Sequence, residues 1–368
     1  MKRKTYLIEL LCLIMLLGIS AVKGQNRFEL KGKITDARTN NPILSASVFI
    51  GNSSMGTITD KKGEFTLMNI PGGNYQLTVS CVGYKSLTLK ISSNSISENY
   101  NLQLQPRIEE LDSVIVRASD KHGWEKWGAL FKEKFLGNST ISREARIENP
   151  QVLQFRHSTS NELDVVATDP LIIENAALGY KIRYELEEFR YYESSQSVSF
   201  QGHCYFEELV PPNTRAFKRW TRNRIAAYRG SILHFMRSLF QGTLKQDGFE
   251  VRRSVDKGDN YFWVSSNELI ADSLLINATD TLKQLYFPNY VDVLYKNAKV
   301  DGKYMSLQLV IDVGEGQKSR ISLEGKKPLT IEASGNFDPP LELYLMGYWA
   351  WSQKIGLLLP LDYQIPKQ

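Results

Sequence analysis

The sequence predicts a mostly β chain, α+β overall: an N-terminal antiparallel β-sandwich of the seven-stranded type, then a β-rich region carrying two amphipathic helical segments. Three observations carry this reading. Across residues 30–104, short apolar and β-branched runs are divided by turn residues at close, regular spacing, which is the signature of a small sandwich. Across 145–209, apolar residues recur at every second position, and at 124–136 and 214–241 the period lengthens to that of a helix.

Within the sandwich, Asp60-Lys61-Lys62-Gly63 is a tight-turn signal in which Gly63 supplies the positive φ, and Pro71-Gly72-Gly73-Asn74 is the next break. Leu77, Val79 and Cys81 alternate, so one face of their strand is buried. The blocks Gly32 through Asp36, Pro42 through Val48, Gly56 through Asp60, Gly63-Glu64-Phe65, Ile70 through Tyr75 and Val82-Gly83-Tyr84 occur in the order that resembles the carboxypeptidase-regulatory-like domain. The resemblance implies a transthyretin-type sandwich and leaves function open, since such domains stand beside many unrelated partners.

Residues 1–24 read as a signal peptide. Lys2, Arg3 and Lys4 form a basic start, residues 7–19 an apolar run, and the expected cleavage follows Gly24. An uncleaved anchor is the alternative, though the apolar run is shorter than the roughly 18 residues an anchor needs. Cys12 lies too early in that run to be a lipoprotein site. The expected location is therefore the periplasm or the periplasmic face of an outer membrane. Setting residues 1–24 aside lowers the net charge from +5 to +2, a balance that argues against nucleic-acid binding. Cys81 and Cys204 then remain, read as small buried thiols with a bridge as the alternative. The expected units are the sandwich at 25–105, a linker at 106–123 and a β-rich domain of unknown function at 124–368.

In the linker, residues 111–118 resemble the energy-coupling box that follows this same domain in TonB-dependent receptors, but too few residues follow for a plug and a large closed barrel. Next, Trp124, Trp127, Phe131 and Phe135 mark the apolar stripe of a helix that Gly137-Asn138 ends. Ile182, Tyr184 and Leu186, then Val198, Phe200, Gly202, Cys204 and Phe206, give one face of a long hairpin. Its other face, Ser199, Gln201, His203, Tyr205 and Glu207, suits solvent or a partner. The region 214–241 has Phe217, Trp220, Tyr228, Ile232, Phe235, Met236 and Leu239 at helical spacing, with a break at Gly230. Further strands are expected at 261–264, 291–295, 307–313, 321–323 and 329–333, and the tail 357–363 is expected to dock as a strand.

The blocks Asn149-Pro150, Pro170 through Asn175, Leu178 through Ile182, Arg224 through Leu239, Gly248-Phe249 and Gly347-Tyr348-Trp349 resemble a Bacteroidota family of exported proteins. That family places the same sandwich before an uncharacterised β-rich domain, and it brings no catalytic residues to transfer.

Chemistry-bearing motifs are sparse. His122 and Glu125 match the HxxE pair of zinc carboxypeptidases, with His157, His203 or His234 as a third ligand, but they lack that fold's strand context. There is no Gly-x-Ser-x-Gly elbow and no phosphate-cradling loop. Glu187-Glu188 and Glu207-Glu208 point to opposite faces of a strand and make no acid/base pair by themselves. The strongest signal is charge: residues 213–246 hold Arg215, Lys218, Arg219, Arg222, Arg224, Arg229, Arg237 and Lys245 with no acidic residue. Such a helix suits an anionic lipid, a glycan phosphate or an acidic envelope protein. It equally suits packing of Phe217, Trp220 and Tyr228 on the β region with Glu185, Glu187 and Glu188 as ion-pair partners. Tyr348, Trp349 and Trp351 fit either a sugar-stacking platform or a core. The expected function is a non-enzymatic binding or scaffolding module of the cell envelope, without cofactor. The alternatives are a zinc-dependent carboxypeptidase-like hydrolase and an accessory to TonB-dependent uptake.

Overall fold

In a computed structural model, the chain is described for residues 27–366 except 94, 96–98, 108–118, 159, 260, 278, 280–281 and 309–315. The expected leader and the coupling-box segment 111–118 lie outside the described residues. The protein is mostly β, with several antiparallel sheets.

Seven strands form the N-terminal sandwich: β1 (Arg27–Asp36), β2 (Ser47–Ile50), β3 (Gly56–Ile58), β4 (Glu64–Pro71), β5 (Asn74–Ser80), β6 (Leu87–Ser92) and β7 (Tyr100–Leu104). They pair as β4-β1-β7 and β3-β2-β5-β6. Leu30, Ile34, Phe65 and Leu67 of one sheet bury against Val48, Ile50, Leu77 and Val79 of the other. Gly63 has φ +73°, and a Cβ there would stand 2.4 Å from the Ile34 carbonyl oxygen, so the turn requires glycine twice over. One expectation needs correction: the sandwich is not wholly antiparallel, because β7 runs parallel to β1 from Gly32↔Tyr100 to Asp36↔Leu104. The β6–β7 connection changes sheets, which frees β7 from hairpin geometry.

The second core lies under α1 (Gly123–Phe135). Its sheet contains β8 (Ala145–Ile147), β9 (Leu153–His157), β10 (Glu162–Ala167), β11 (Leu171–Asn175), β12 (Tyr180–Tyr192) and β13 (Ser197–Glu208). One edge of β12 holds β11 and β10 in turn, and the other pairs with β13 as the expected long hairpin. The helical stripe of α1 is confirmed: Phe131 and Phe135 are fully buried, and Phe135 meets Tyr184 and Phe200 edge-on at 5.1 and 5.3 Å. Gly137, at φ +91°, ends the helix.

Two helices follow, α2 (Thr214–Tyr228), whose Ala227 and Tyr228 join the second core, and α3 (Ile232–Gln241), which opens the third; they are separated at Gly230 (φ +77°) as the glycine predicts. Phe235, Met236 and Leu239 of α3 pack on two sheets. These are built from β14 (Phe249–Asp256), β15 (Phe262–Glu268), β16 (Leu275–Ile276), β17 (Leu282–Leu285), β18 (Tyr290–Tyr295), β19 (Gln317–Leu323), β20 (Leu329–Glu332), β21 (Phe337–Asp338) and β22 (Leu343–Gly347). Their orders are β15-β14-β18-β19-β22 and β16-β17-β20-β21. The strand expected at 307–313 is not formed at its start: Leu307 belongs to α4 (Gly302–Gln308), which Asp301 initiates by accepting from the Lys303 N–H at 2.8 Å, and 309–313 lie outside the described residues. The aromatics Tyr348, Trp349 and Trp351 fall on α5 (Tyr348–Ser352), where Trp349 is 2% exposed and donates to the Gly230 carbonyl at 2.7 Å.

The polar face of the hairpin meets the sandwich. Tyr205 packs on Phe49 at 5.4 Å. The Asn52 N–H donates to Cys204 O at 2.7 Å and the Phe206 N–H to Ser53 O at 3.0 Å, so residues 52–53 run beside β13 and cover its otherwise open edge. The tail then closes over this loop. The Leu361 N–H donates to Asn52 O at 2.7 Å, and Ser54 donates from its N–H (2.8 Å) and its hydroxyl to Asp362. The tail is therefore not a strand, correcting the expectation, because Arg237 takes its carbonyls. This guanidinium, 6% exposed, donates to Ser334 O (2.8 Å), Tyr363 O (2.9 Å) and Leu361 O (2.8 Å). At a second seam Glu332, also buried, accepts from the Asn74 N–H of the sandwich; burial raises its carboxyl to about 7, against the pull of Asn74 and Asn336.

Two outcomes follow. Arg237→Ala leaves three carbonyls without their donor, so the unfolding midpoint in denaturant should fall by the equivalent of about 3 kcal/mol; an unchanged midpoint would contradict the clamp. Since the Glu332 pKa is raised from an unfolded value of 4.5 to about 7, its native-state contribution is intact below 4.5 and lost as pH rises through 7. Glu332→Gln should therefore be more stable than wild type at about pH 8 and show no such advantage at about pH 4, as read by thermal unfolding at both values.

Candidate functional site

The basic segment divides into two faces. The β11–β12 turn leaves three consecutive carbonyls, at Ala176, Ala177 and Leu178, to side-chain donors from α2, which also reaches Gly179 O beside the Leu209 N–H that donates to it at 3.0 Å. Arg219 (2.7 Å) and the Trp220 indole (2.9 Å) donate to Ala176 O, Asn223 to Ala177 O (2.9 Å), and Arg224 to Leu178 O (2.7 Å) and Gly179 O (3.1 Å). Gly179 sits at φ +69°, where a Cβ would lie 2.2 Å from the Trp220 ring, so helix and turn approach as closely as glycine allows. Arg224 also stacks over Tyr180 at 4.0 Å. Asn213 caps the helix, its side chain accepting from the Ala216 N–H at 2.9 Å.

Three of the expected anion-binding residues are thus turned inward. Arg219 and Arg224 hold the turn and reach Glu144 and Glu208, each at 3.1 Å; Arg237 clamps the tail. The ion-pair partners expected for the helix are corrected as well. Glu185, Glu187 and Glu188 pair instead with Arg183 (3.6 Å), His203 (3.0 Å) and Arg190 (3.6 Å), because α2 lies across the turn and not across the middle of the hairpin.

Arg215, Lys218, Arg222 and Arg229 are exposed and have no acidic partner among the described residues. Their spacing of three, four and seven residues puts them on one stripe. Beside it run Phe217, Thr221 and Ile225 at four-residue spacing. Phe217 is 58% exposed, so it belongs to the outer face and not, as its spacing from Trp220 suggested, to the buried one. Between the two rows lies a shallow depression of about 300 Å³, lined by Phe217, Lys218, Thr221, Arg222 and Ile225. The inward row was findable from Ala216, Trp220, Asn223 and Ala227, whose helical positions centre on the buried side. Nothing in the sequence announced the carbonyl turn they cover.

The metal reading gains no geometry. His122 and Glu125 are exposed at the start of α1. His157 stacks on Trp127 at 4.8 Å and bonds Glu193, His203 bonds Glu187, and the Nδ1 of His234 accepts from the Gly230 N–H, with burial lowering its pKa to about 4. Among the described residues, no three His, Cys, Asp or Glu side chains converge as metal ligands. Cys81 and Cys204 are free: burial pushes the Cys204 thiol up, and its sulfur lies 3.3 Å from Asn52 Oδ1. Among the described residues no helix is long and apolar enough to cross a membrane.

Residues 30–116 match the family model described as CarboxypepD_reg-like domain, in agreement with the resemblance read from the sandwich. No curated protein matches the chain. Similar solved structures include the major pilin subunit BcpA of Bacillus cereus, at 15% identity over 22% of this chain and 31% of that one, with a TM-score of 0.19. A type II cohesin-X-dockerin complex from Acetivibrio cellulolyticus matches at 23% identity over 20% and 51%, with a TM-score of 0.16. A 9R-lipoxygenase from Cyanothece matches at 10% identity over 65% and 52%, with a TM-score of 0.19. In each case the chain spans less than two thirds of the other protein's length.

The two faces of α2 should respond differently to substitution. Arg224→Lys removes the fork that spans Leu178 O and Gly179 O and the stack on Tyr180, and should lower stability by about 2 kcal/mol. Arg222→Ala should stay within about 0.5 kcal/mol of wild type. Equal effects in parallel denaturation curves would refute the division.

Proposed function

We propose that the chain is an exported, non-enzymatic binding module of the cell envelope, of the Bacteroidota family it resembles, that docks on an anionic membrane face through the outer stripe of α2. The observation that carries this reading is the set of four exposed cations without an acidic partner among the described residues, Arg215, Lys218, Arg222 and Arg229, with the exposed Phe217 beside them. Cations beside an anionic lipid surface contribute about 1 kcal/mol each, and an aromatic ring at the headgroup level adds apolar burial. The β-sandwich at residues 30–116 is compatible with a binding or scaffolding role. Export rests on the basic and apolar runs of residues 1–24. The rigid seating of α2 on the carbonyl turn holds the stripe outward without help from a ligand.

Co-sedimentation with vesicles provides the test. Wild-type protein should bind phosphatidylglycerol vesicles and not phosphatidylcholine ones. A variant with alanine at Arg215, Lys218, Arg222 and Arg229 should lose on the order of a hundredfold or more in partitioning. Phe217→Ala should lose about tenfold. Equal binding to both vesicle types, or to neither, would overturn the proposal.

A further inference from the structure

Lys354 follows α5 and opens the segment whose Ile355, Leu359 and Tyr363 join the second core. Its stem lies against the end of α1, where a Cβ on Gly137 would stand 3.0 Å from the Lys354 Cβ. The helix's last carbonyls are already taken there. Lys132 O accepts from the Leu136 N–H at 2.8 Å, Glu133 O from the Gly137 N–H at 3.1 Å, and Leu136 O from the Gly356 N–H at 2.9 Å. The lysine side chain runs on to the sheet, and its ammonium lies over the Phe200 ring at 5.7 Å.

A second ammonium occupies the neighbouring ring. Lys134 of α1 lies over Tyr191 at 5.4 Å. Tyr191 pairs with Val198 and Phe189 with Phe200, so Tyr191 and Phe200 are diagonal neighbours on one face of the hairpin. Two cations thus share one aromatic patch. Lys134 has Glu133 at 3.0 Å, whereas Lys354 has no acidic partner among the described residues. A half-buried ammonium without a carboxylate, beside a like charge, is the arrangement that favours the neutral amine. Burial first, and Lys134 second, lower the Lys354 pKa from 10.5 to about 8.

We infer that Lys354 is a site of carbamate formation, its neutral amine adding to dissolved carbon dioxide and the resulting carbamate pairing with Lys134. The amine lone pair forms the new N–C bond, one C=O π pair moves onto oxygen, and the nitrogen passes a proton to water. No oxidant, leaving group or cofactor enters the step. Carbon dioxide is small and apolar, which suits an amine set among rings. The second lysine selects this product over others. Acylation would leave a neutral amide and an aldehyde a neutral or cationic imine, and neither gives Lys134 a new partner. A carbamate is an anion and turns the repulsion between the two lysines into attraction. Because they belong to α1 and to the segment before the tail, the modification ties these together and stabilises the fold. The site is independent of α2 and of the membrane reading.

Carbon-13 NMR of the full chain from residue 25 in ¹³C-bicarbonate at about pH 8 tests the inference. The α-amino group titrates in the same range and gives a carbamate signal of its own, so the reading is a difference between variants. Wild type should show a second carbamate signal that is lost in Lys354→Met, which keeps an unbranched stem over Phe200 and removes the buried charge. Lys134→Met should weaken that second signal about tenfold while leaving the α-amino signal as it was. This variant lies on the helix and remains informative if Lys354→Met fails to fold, as far-UV circular dichroism would report. Bicarbonate should also raise the thermal midpoint of wild type above that in chloride of equal ionic strength, by about 2 °C, and should not do so for Lys134→Met. The absence of a second carbamate signal in wild type, its persistence in Lys354→Met, or a signal undiminished in Lys134→Met would overturn the inference.

Discussion

The guanidinium of Arg237 is the constraint on which the assembly of the three cores depends. A charge buried to this extent persists only when every donor finds an acceptor. The acceptors come from two separate stretches of chain: Ser334 O between β20 and β21, and Leu361 O and Tyr363 O in the tail. Stacking over Tyr228 at 5.4 Å adds the end of α2 to the same point. Once the tail is fixed there, its neighbouring groups reach the sandwich loop at Asn52 and Ser54. The junction of a helix, a turn, a tail and an N-terminal domain thus reduces to one residue and the carbonyls it satisfies.

A similar economy governs α2. Its donors are distributed so that one side saturates the turn at 176–179 and the other has no acidic partner among the described residues. In a segment devoid of acidic residues, repulsion among cations is relieved inward by carbonyl oxygens and by two carboxylates from elsewhere, Glu144 and Glu208. Outward, no carboxylate among the described residues relieves it. Charge density on a helix is therefore a poor guide to binding until the inward share is subtracted, and here that subtraction removes Arg219, Arg224 and Arg237.

Much of the fold was legible because local rules and tertiary structure agree. The turn at Asp60 through Gly63, the stripe of α1, the hairpin alternation and the break at Gly230 each follow from periodicity or from a backbone conformation that glycine favours. The misreadings share a cause. β7 was expected antiparallel and the tail was expected as a strand, yet pairing direction and tail docking are set by contacts distant in sequence. Phe217 sits three residues from Trp220, a spacing that places two side chains on neighbouring but not identical faces, and the carbonyl turn decides which of them is covered. On β12, strict alternation assigned Glu187 a face, and the bulge between Leu186 and Glu188 that overrides alternation leaves no mark in the sequence beyond Gly202 on the partner strand.

The pairing of residues 52–53 with β13 has a consequence for synthesis. Domains generally fold in order as a chain emerges, N-terminal first. The strip that shields β13 is therefore in place before β13 exists, and the exposed edge is met by a waiting partner as soon as it forms. The tail that locks the strip arrives last. A nascent chain stopped before residue 361 would hold the shield without its fastener, and its β13 edge would remain the point most open to pairing with a second chain.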